Sequence, residues 1–405
     1  MASSLLSVAD ALTKILADAT PLSPLDTSLK EAHGRVLAAD LAARRTQPPL
    51  AMSAMDGYAV RSADVTQIPA ALKVIGEVAA GRPFGRTIGP GQAARIFTGG
   101  VVPDGADTIV IQENTARDGD AVLVKSPSPP EKHIRSAGLD FKTGEVLLPR
   151  GHRLVARDLA LAAAMNYATV PVYRAPKVAT FATGDELVPP GQPLGPGQIV
   201  YSNGFTLCAM MAGEGADVID LGIVPDKLDE TVAAIRRARA DGADVLVTTG
   251  GASVGEYDLV QRALAVEGMD LSFWKIAMRP GRPLMHGHIG SMHVLGLPGN
   301  PVSSYVCCLL FVVPLLRRLS GRRDLALATE PGVLGRDLGA NDERADYLRA
   351  TSEKRADGTL VATPFSNQDS SVISRLSAAN CLVIRPPFAP AAKAGEPCTV
   401  VKLAF

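Results

Sequence analysis

The sequence has 405 residues, and its 41 lysines and arginines balance 41 aspartates and glutamates, so the formal net charge at pH 7 is zero. This balance argues against a nucleic-acid-binding protein, because such proteins normally carry an excess or a stripe of basic charge. A hydrophobic content of 47% with 20% charged residues excludes an intrinsically disordered chain, and at roughly 100–200 residues per domain the length predicts two to four domains.

Membrane insertion and secretion are not predicted. The longest apolar run, residues 306–316, has about half of the ~20 residues that a transmembrane helix needs, and Pro314 interrupts it. The N-terminal segment lacks the basic region of a signal peptide. The five cysteines are odd in number and show no CxxC spacing, which argues against a disulfide framework and a structural zinc site. We therefore expect a protein of the reducing cytoplasm.

The N-terminal part of the chain contains two helix signals with strand signals between them. Apolar residues at helical spacing predict a first helix over residues 5–15, with Ser7 and Asp10 forming a capping box at its start. Short β-like runs separated by glycine and proline turns follow between residues 73 and 125. The proline-rich segment 126–132 indicates a loop or a crossing between domains, and a second helix is predicted over residues 156–166.

From residue 177 to about residue 320, predicted strands alternate with predicted helices. This alternation is typical of a mostly parallel sheet with helices on both faces, that is, a three-layer α/β domain. A basic segment at 317–324 marks a boundary, and the remaining ~80 residues have the short strands and turns of a small β-barrel. The predicted fold class is therefore multidomain α/β plus β.

Four strand ends in the α/β segment are followed by polar or glycine-rich loops, at residues 183–186, 225–226, 250–258 and 297–303. Ligands of such sheets bind beyond the carboxyl ends of the strands, and glycine-rich turns and helix N-termini favour anions. For any single loop an ordinary tight turn is an equally good interpretation. Four of them at one sheet edge favour a ligand crevice.

Charged residues near these loops suggest the kind of ligand. Lys275, Arg279 and Arg282 lie in one short segment, and such cations suit phosphate or another oxyanion. The carboxylates of Glu186, Asp226 and Asp258 are compatible with an anionic ligand if Mg²⁺ lies between, because Mg²⁺ is typically held by one or two carboxylates and substrate phosphates.

Other motifs in the same segment allow alternative interpretations. Residues 251–255 match the G-x-S-x-G nucleophile elbow around Ser253, but no histidine follows residue 293, so a serine hydrolase remains a minor alternative. His286 and His288 could share one strand face; because no third ligand is apparent from the sequence, a surface hairpin is favoured over a metal site. P-loop and dinucleotide-binding fingerprints are absent from the sequence.

Two motifs precede the α/β segment, and each alone is typical of a turn with a solvated carboxylate. They are MDGYA (residues 55–59) and IFTGG (residues 96–100). Together with TGDEL, SNG, TTGGASVGEYD, KIAMRPGRP and LPGNPVS, which follow in this order, they make the sequence resemble the MoeA family of molybdopterin molybdenumtransferases over essentially the full chain. The family is similar to the E domain of gephyrin.

The resemblance implies a four-part chain and an elongated homodimer whose site is shared between subunits. In the dimer, Asp56 and Thr98 of one subunit would reach the loops of the other. The implied parts are a helical and extended dimerisation part (1–45 with 130–172), a small β domain (46–129), an α/β molybdopterin-binding domain (173–322) and a C-terminal β-barrel (323–405).

The implied reaction is the Mg²⁺-dependent insertion of molybdate into adenylated molybdopterin, with release of AMP. The catalytic positions that carry over by motif are Asp56, Thr98, Glu186, Asp226, Asp258, Lys275 and Arg279, with Glu186, Asp226 and Asp258 as metal ligands. The implied substrate-binding positions are Gly250, Gly251, Ser253, Gly255, Arg282, Pro298, Gly299, Asn300, Pro301, Ser303 and Ser370. Asp369 departs from the family pattern, in which glycine is usual at this position.

Two alternatives from other functional classes follow from the same resemblance. One is a gephyrin-like scaffold that binds peptides through its barrel, and the other is a molybdopterin adenylyltransferase. The acidic and basic site positions present in this chain favour an enzyme, and MDGYA and IFTGG favour the later, molybdate-inserting step. The expected partners are a second copy of the chain and, as candidates, a molybdopterin adenylyltransferase and molybdoenzyme maturation proteins; neither nucleic acid nor a membrane is expected.

Overall fold

The computed structural model describes residues 5–250 and 259–403. The first helix, α1 (Val8–Ala17), is followed by strands β1 (Pro24–Ser28) and β2 (Leu41–Ala42). The predicted cap is confirmed, because Ser7 Oγ accepts a hydrogen bond from the Asp10 amide at 3.1 Å and so satisfies a free N–H of the first turn. Ala11 and Ile15 of α1 are fully buried in the core of the α/β domain.

The small β domain is one six-stranded sheet that follows a short strand, β3 (Met52–Ser53). The order in the sheet is β7-β4-β6-β5-β9-β8, and the strand runs predicted between residues 73 and 125 are confirmed. Apolar clusters cover both of its faces. The strands are β4 (Gly57–Val60), β5 (Ala70–Val78), β6 (Gln92–Ile96), β7 (Thr108–Ile111), β8 (Thr115–Asp118) and β9 (Ala121–Val124).

The chain then returns to the N-terminal segments through short antiparallel pairings. Strand β10 (Ile134–Arg135) pairs with β3, and β11 (Val146–Leu148) pairs with β2. Helix α2 (Ala156–Ala164) confirms the predicted second helix, and β12 (Thr169–Tyr173) pairs with β1. These elements enclose their own apolar cluster.

The α/β domain is built on a six-stranded sheet of order β16-β13-β17-β21-β20-β18. All its strands run in one direction except β20, so the predicted mostly parallel sheet is confirmed. The strands of this segment are β13 (Lys177–Thr183), β14 (Leu187–Val188), β15 (Ile199–Val200), β16 (Asp217–Val224), β17 (Val245–Thr249), β18 (Asp270–Trp274), β19 (Met278–Arg279), β20 (Met285–Ile289) and β21 (Met292–Leu297).

Helices pack on both faces of this sheet and make three layers. One face is covered by α1 and by later helices, and the other by α4 and α5. The helices are α3 (Asn203–Gly213), α4 (Leu228–Ala240), α5 (Leu259–Val266), α6 (Pro301–Cys307) and α7 (Val313–Leu319).

Helices α6 and α7 are joined by a π-helical turn, Cys308–Val312, into one helical segment. The segment Pro301–Leu319 is long and apolar enough to cross a membrane, yet 83% of it is buried inside the molecule. It therefore packs as the core helix of the α/β domain, where its apolar side chains meet the sheet.

The C-terminal part is a closed five-stranded barrel, as predicted. Its order is β23-β24-β22-β26-β25, and β25 closes onto β23. Strand β19 of the preceding domain extends this sheet by pairing with β23, so the barrel is attached to the α/β domain through main-chain hydrogen bonds. The elements are β22 (Thr329–Leu334), β23 (Ala345–Lys354), β24 (Leu360–Pro364), α8 (Ile373–Ala378), β25 (Cys381–Arg385) and β26 (Pro397–Lys402).

A buried ion cluster fixes the end of α3 to the end of α7. The Glu214 carboxylate, 4% exposed, pairs with Arg317 at 2.8 Å and with Arg322 at 2.5 Å. We expect Glu214→Gln to lower the free energy of unfolding by about 3–5 kcal/mol, because it leaves the mostly buried Arg317 without a carboxylate partner, while Arg322 keeps its pair with Asp324. Urea denaturation followed by the fluorescence of Trp274, the single tryptophan, reports on this domain.

The matched control for this prediction is Asp337→Asn, which breaks an exposed pair with Lys393 at 2.8 Å. Solvent screens such a pair, so its loss should cost much less stability than the loss of the buried Glu214 carboxylate. Equal losses for the two variants would contradict a special role of the Glu214 cluster.

Candidate active site

The carboxyl ends of five strands meet at one edge of the α/β sheet. Since β20 is antiparallel to both of its neighbours, the edge strand β18 runs in the same direction as the parallel strands. The loops after these strands therefore lie along one edge, as the sequence predicts. The last residues of the strands are Thr183, Val224, Thr249, Trp274 and Leu297.

A cleft of about 420 Å³ opens at this edge. Of the predicted site residues, it brings together Glu186, Gly250, Gly299, Asn300 and Pro301. It also contains polar residues that the sequence reasoning did not select, namely Thr183, Tyr201, Ser202, Asn203, Thr249 and Ser371.

Asn203 is the clearest of the residues that were missed. It begins α3, and its Nδ2 donates a hydrogen bond to the Gly299 carbonyl at 2.7 Å. This bond holds the loop after β21 against the start of α3. The signal was present in the sequence, since the SNG motif stands between a strand and a helix.

Gly250 is required by the close approach of two strand ends. Its φ is +86°, and a Cβ at this position would lie 2.3 Å from the Thr183 carbonyl oxygen. Any other residue would therefore push β17 and β13 apart at the floor of the cleft. The predicted positions Gly251, Ser253, Gly255 and Asp258 lie outside the described residues.

The barrel domain contributes to the cleft through the segment around Ser370. The Ser370 carbonyl accepts a hydrogen bond from the Val302 amide at 3.0 Å, and its hydroxyl accepts one from Asn300 Nδ2 at 2.8 Å. Ser370 thus binds the N-terminus of α6, and the neighbouring Ser371 lines the cleft instead. Pro298 and Ser303 are buried behind the same loop.

Asp369 organises this segment through hydrogen bonds to its own chain. Its Oδ1 accepts hydrogen bonds from the amide and the hydroxyl of Ser371, at 2.9 and 2.6 Å. These bonds lower the pKa of Asp369. The residue therefore places a stable negative charge beside Ser371, at the rim of the cleft.

Three carboxylates, Asp185, Glu186 and Asp226, form an acidic end of the edge, after β13 and β16. The Asp226 amide donates to Asp185 Oδ1 at 3.0 Å. Burial raises the pKa of Asp226, and the charges of Asp185 and Glu186 raise it further. Among residues 5–250 and 259–403, three side chains that could ligate a metal have their ligand atoms within 4.8 Å of one another. They are histidines, and none of these carboxylates belongs to the group.

The predicted cations lie at the other end of the same edge. Lys275 follows β18 with φ +73°, and its Nζ lies 4.1 Å from the centre of the Trp274 ring. Four strand positions separate β18 from β13, or roughly 19 Å at ~4.8 Å per strand. Lys275 and the carboxylate of Glu186 therefore lie at opposite ends of the edge.

Arg279 is paired with the barrel. Its guanidinium makes a bidentate ion pair with Asp346, at 2.9 and 2.7 Å, and Asp342 lies 3.8 Å away. The pair links β19 to β23, so in this structure Arg279 joins two domains. Arg282 follows it on an exposed turn.

Asp56 and Thr98 form a second polar group, on the small β domain. The Asp56 Oδ1 accepts hydrogen bonds from the amide and the hydroxyl of Thr98, at 2.7 and 2.8 Å, and these bonds lower the pKa of Asp56. Arg95 donates to the Gly57 carbonyl and to Gln112. The motifs MDGYA and IFTGG thus meet in space, but neither lines the cleft.

The pair of histidines in β20 is not on a surface hairpin. His286 is fully buried, and His293 of β21 lies beside both His286 and His288. β20 and β21 do form a hairpin, but it lies inside the sheet with His286 and His293 buried, so its predicted surface position is wrong, and a third histidine stands beside the pair.

Comparison with known proteins agrees with this architecture over nearly the whole chain. Family models match the MoeA N-terminal region (domain I and II) at residues 6–166, a probable molybdopterin binding domain at 179–318 and the MoeA C-terminal region (domain IV) at 331–403.

Individual relatives and solved structures also match most of the chain. A molybdopterin molybdenumtransferase of Nostoc sp. is 42% identical over 74% of this chain and 70% of its own length, and one of Haemophilus influenzae is 35% identical over 92% of each. Two structures of a molybdopterin biosynthesis MoeA protein from Pyrococcus horikoshii superpose on 99% of this chain and cover 100% of theirs, with TM-scores of 0.85 and 0.82 and identities of 30% and 28%.

Proposed function

Because this chain belongs to the MoeA family of molybdenum cofactor biosynthesis, we propose that it inserts molybdate into adenylated molybdopterin and releases AMP. The observation that supports this most directly is the carboxyl edge of the sheet, where the cleft contains Glu186 and where carboxylates lie at one end and Lys275 at the other. An elongated ligand with a pyrophosphate in its middle matches a site whose charged ends lie roughly 19 Å apart.

The acidic end is the proposed Mg²⁺ site. Burial, and then the negative charges of Asp185 and Glu186, raise the pKa of Asp226, and a bound divalent cation would offset this cost of the ionised carboxylate. Two carboxylates suffice, because Mg²⁺ commonly takes its remaining ligands from water and substrate phosphates. Bound there, Mg²⁺ would neutralise charge that develops on the phosphoanhydride during its cleavage. Asp258 remains a proposed third ligand.

The other parts of the edge have separate proposed tasks. The N–H groups at Gly250 and Gly299 are proposed to bind phosphate oxygens, since glycine lets the ligand approach the backbone. Lys275 and Arg282 are proposed to attract molybdate and the anionic end of the substrate. Arg279 is proposed to meet the ligand with the part of its guanidinium that its pair with Asp346 leaves exposed.

We also propose that the site is completed by a second copy of the chain. Asp56 and Thr98 lie outside the cleft of their own chain, and large apolar side chains are exposed in the N-terminal parts, including Leu50, Leu139 and Val146 at 53%, 62% and 53%. A two-fold dimer would bury such a surface and bring Asp56 to the partner's cleft. The proposed compartment is the cytoplasm, which the five free cysteines suit.

AMP release tests the proposed function. Purified protein is given adenylated molybdopterin, molybdate and Mg²⁺, and each component is omitted in turn. We expect AMP release that depends on both molybdate and Mg²⁺. AMP release without molybdate would indicate plain hydrolysis, and tight substrate binding without release would favour the scaffold alternative.

A further inference from the structure

Three histidines share one face of the α/β sheet, away from the cleft. His286 and His288 alternate along β20, so their side chains point to the same side. His293 stands directly opposite His288 on β21. The His288 Nε2 and His293 Nδ1 atoms are 3.0 Å apart, and one ring nitrogen from each of the three residues lies within 4.8 Å of the others.

His286 is the member of this cluster that needs a partner. It is 0% exposed, and both of its ring nitrogens are buried without a hydrogen-bond partner. Its ring lies 5.0 Å from the His288 ring and 5.9 Å from the His293 ring, centre to centre. A buried polar group without a partner costs free energy, and the hydrogen bond between His288 and His293 does not remove that cost.

The cluster lies at the opposite edge of the sheet from the candidate active site. His293 is near the amino end of β21, four residues before Leu297, which places it roughly 13 Å from the carboxyl edge. His288 and His293 border a second cleft, of about 670 Å³, which Asp18, Asp270 and Ser291 also line. The cluster is therefore partly open to ligands and separate from the proposed reaction.

We propose that His286, His288 and His293 bind one divalent transition-metal ion, such as Zn²⁺, with the fourth position facing the second cleft. Zn–N distances of about 2.0–2.1 Å place two nitrogens of a tetrahedral site about 3.3 Å apart, so small ring rotations bring the three nitrogens to an ion. Imidazole ligands suit Zn²⁺ and its neighbours, whereas Mg²⁺ prefers oxygen.

The protonation state of the rings is compatible with this role. Burial lowers the pKa of His286 to about 3 and that of His293 to about 4, and the neighbouring histidines lower both further. Both rings are therefore neutral near pH 7 and keep a free lone pair. Asp18 or Asp270, water, or an external ligand could fill the fourth position from the cleft.

Zinc binding to the full chain tests the proposal. Protein without a polyhistidine tag is stripped with EDTA and dialysed against micromolar Zn²⁺, and bound zinc is counted by mass spectrometry. We expect one zinc per chain. His288→Gln should weaken binding at least about tenfold, since even second-shell changes cost that much. Co²⁺ in place of Zn²⁺ should give the visible spectrum of a tetrahedral nitrogen site.

His33→Gln is the matched control, because His33 is an exposed histidine that is not part of the cluster. Zinc binding by this variant should equal that of the wild type. His293→Gln serves as a second variant, and Trp274 fluorescence checks that each variant is folded. Absence of zinc binding to the wild type, or binding that both His288→Gln and His293→Gln leave unchanged, would overturn the proposal. Neither outcome depends on AMP release.

Discussion

Asp56→Asn is expected to reduce molybdate-dependent AMP release by about 10²-fold or more, the size of loss seen when one preorganised electrostatic group is removed from a site. Two hydrogen bonds from Thr98 keep the Asp56 carboxylate ionised, and the asparagine amide cannot carry this charge. Because the Asp56 carboxylate is only partly buried and the substitution keeps its volume and its place outside the apolar clusters, the fold should survive. Circular dichroism and turnover, measured on the same preparation, check both statements.

Mixing this variant with a second one tests the shared site. If Asp56 serves the partner's cleft, a dimer of one Asp56→Asn chain and one Glu186→Gln chain has one intact site and one doubly altered site. Random exchange makes half of the dimers mixed, so about a quarter of wild-type activity should return. The control is a mixture of Asp226→Asn and Glu186→Gln chains, in which each cleft keeps at least one change. Recovery of activity in the control mixture, or no recovery of activity in the test mixture, would contradict the proposal of a shared site.

Asp226→Asn is expected to raise the Mg²⁺ concentration for half-maximal activity at least about tenfold, because it removes a charged ligand from the acidic end.

Asp226→Asn should also leave the protein equally stable or slightly more stable at pH 7. The pKa of Asp226 is raised by burial and by Asp185 and Glu186, so its ionised form is disfavoured in the fold and stability falls as pH rises through that pKa. The Asp226→Asn variant lacks this loss of stability at rising pH. Its stability relative to the wild type should therefore be highest at neutral pH, and the difference should vanish at acidic pH.

The matched control for Asp226→Asn is Asp217→Asn. Asp217 is the exposed first residue of β16, the strand that precedes Asp226. The two substitutions change the net charge equally, but Asp217 lies a full strand length away from the acidic end. Thermal melts with and without Mg²⁺ compare the two variants. An equal loss of Mg²⁺ dependence in both would show that overall charge, and no specific ligand, is responsible.

The sequence by itself determined the local structure and the family. Helix α1 begins at its predicted cap because Ser7 and Asp10 interact within one turn, and the barrel and the parallel sheet follow from apolar periods that short segments already contain. The loops at Gly250 and at 297–303 were recognisable for the same reason. Their chemistry depends on glycine, proline and a following helix, all neighbours in the chain.

Only the tertiary structure decided which distant residues meet. The sequence places Lys275 and Glu186 after strands of the same sheet, but only the strand order shows that they lie at opposite ends of its carboxyl edge, and strand order depends on packing of the whole sheet. Asn203 reaches the Gly299 carbonyl, and Ser370 reaches Asn300 and Val302, through hydrogen bonds between segments far apart in the chain. His293 completes a cluster with His286 and His288 because the register of β20 with β21 places it opposite His288, and that register is set by which faces are buried.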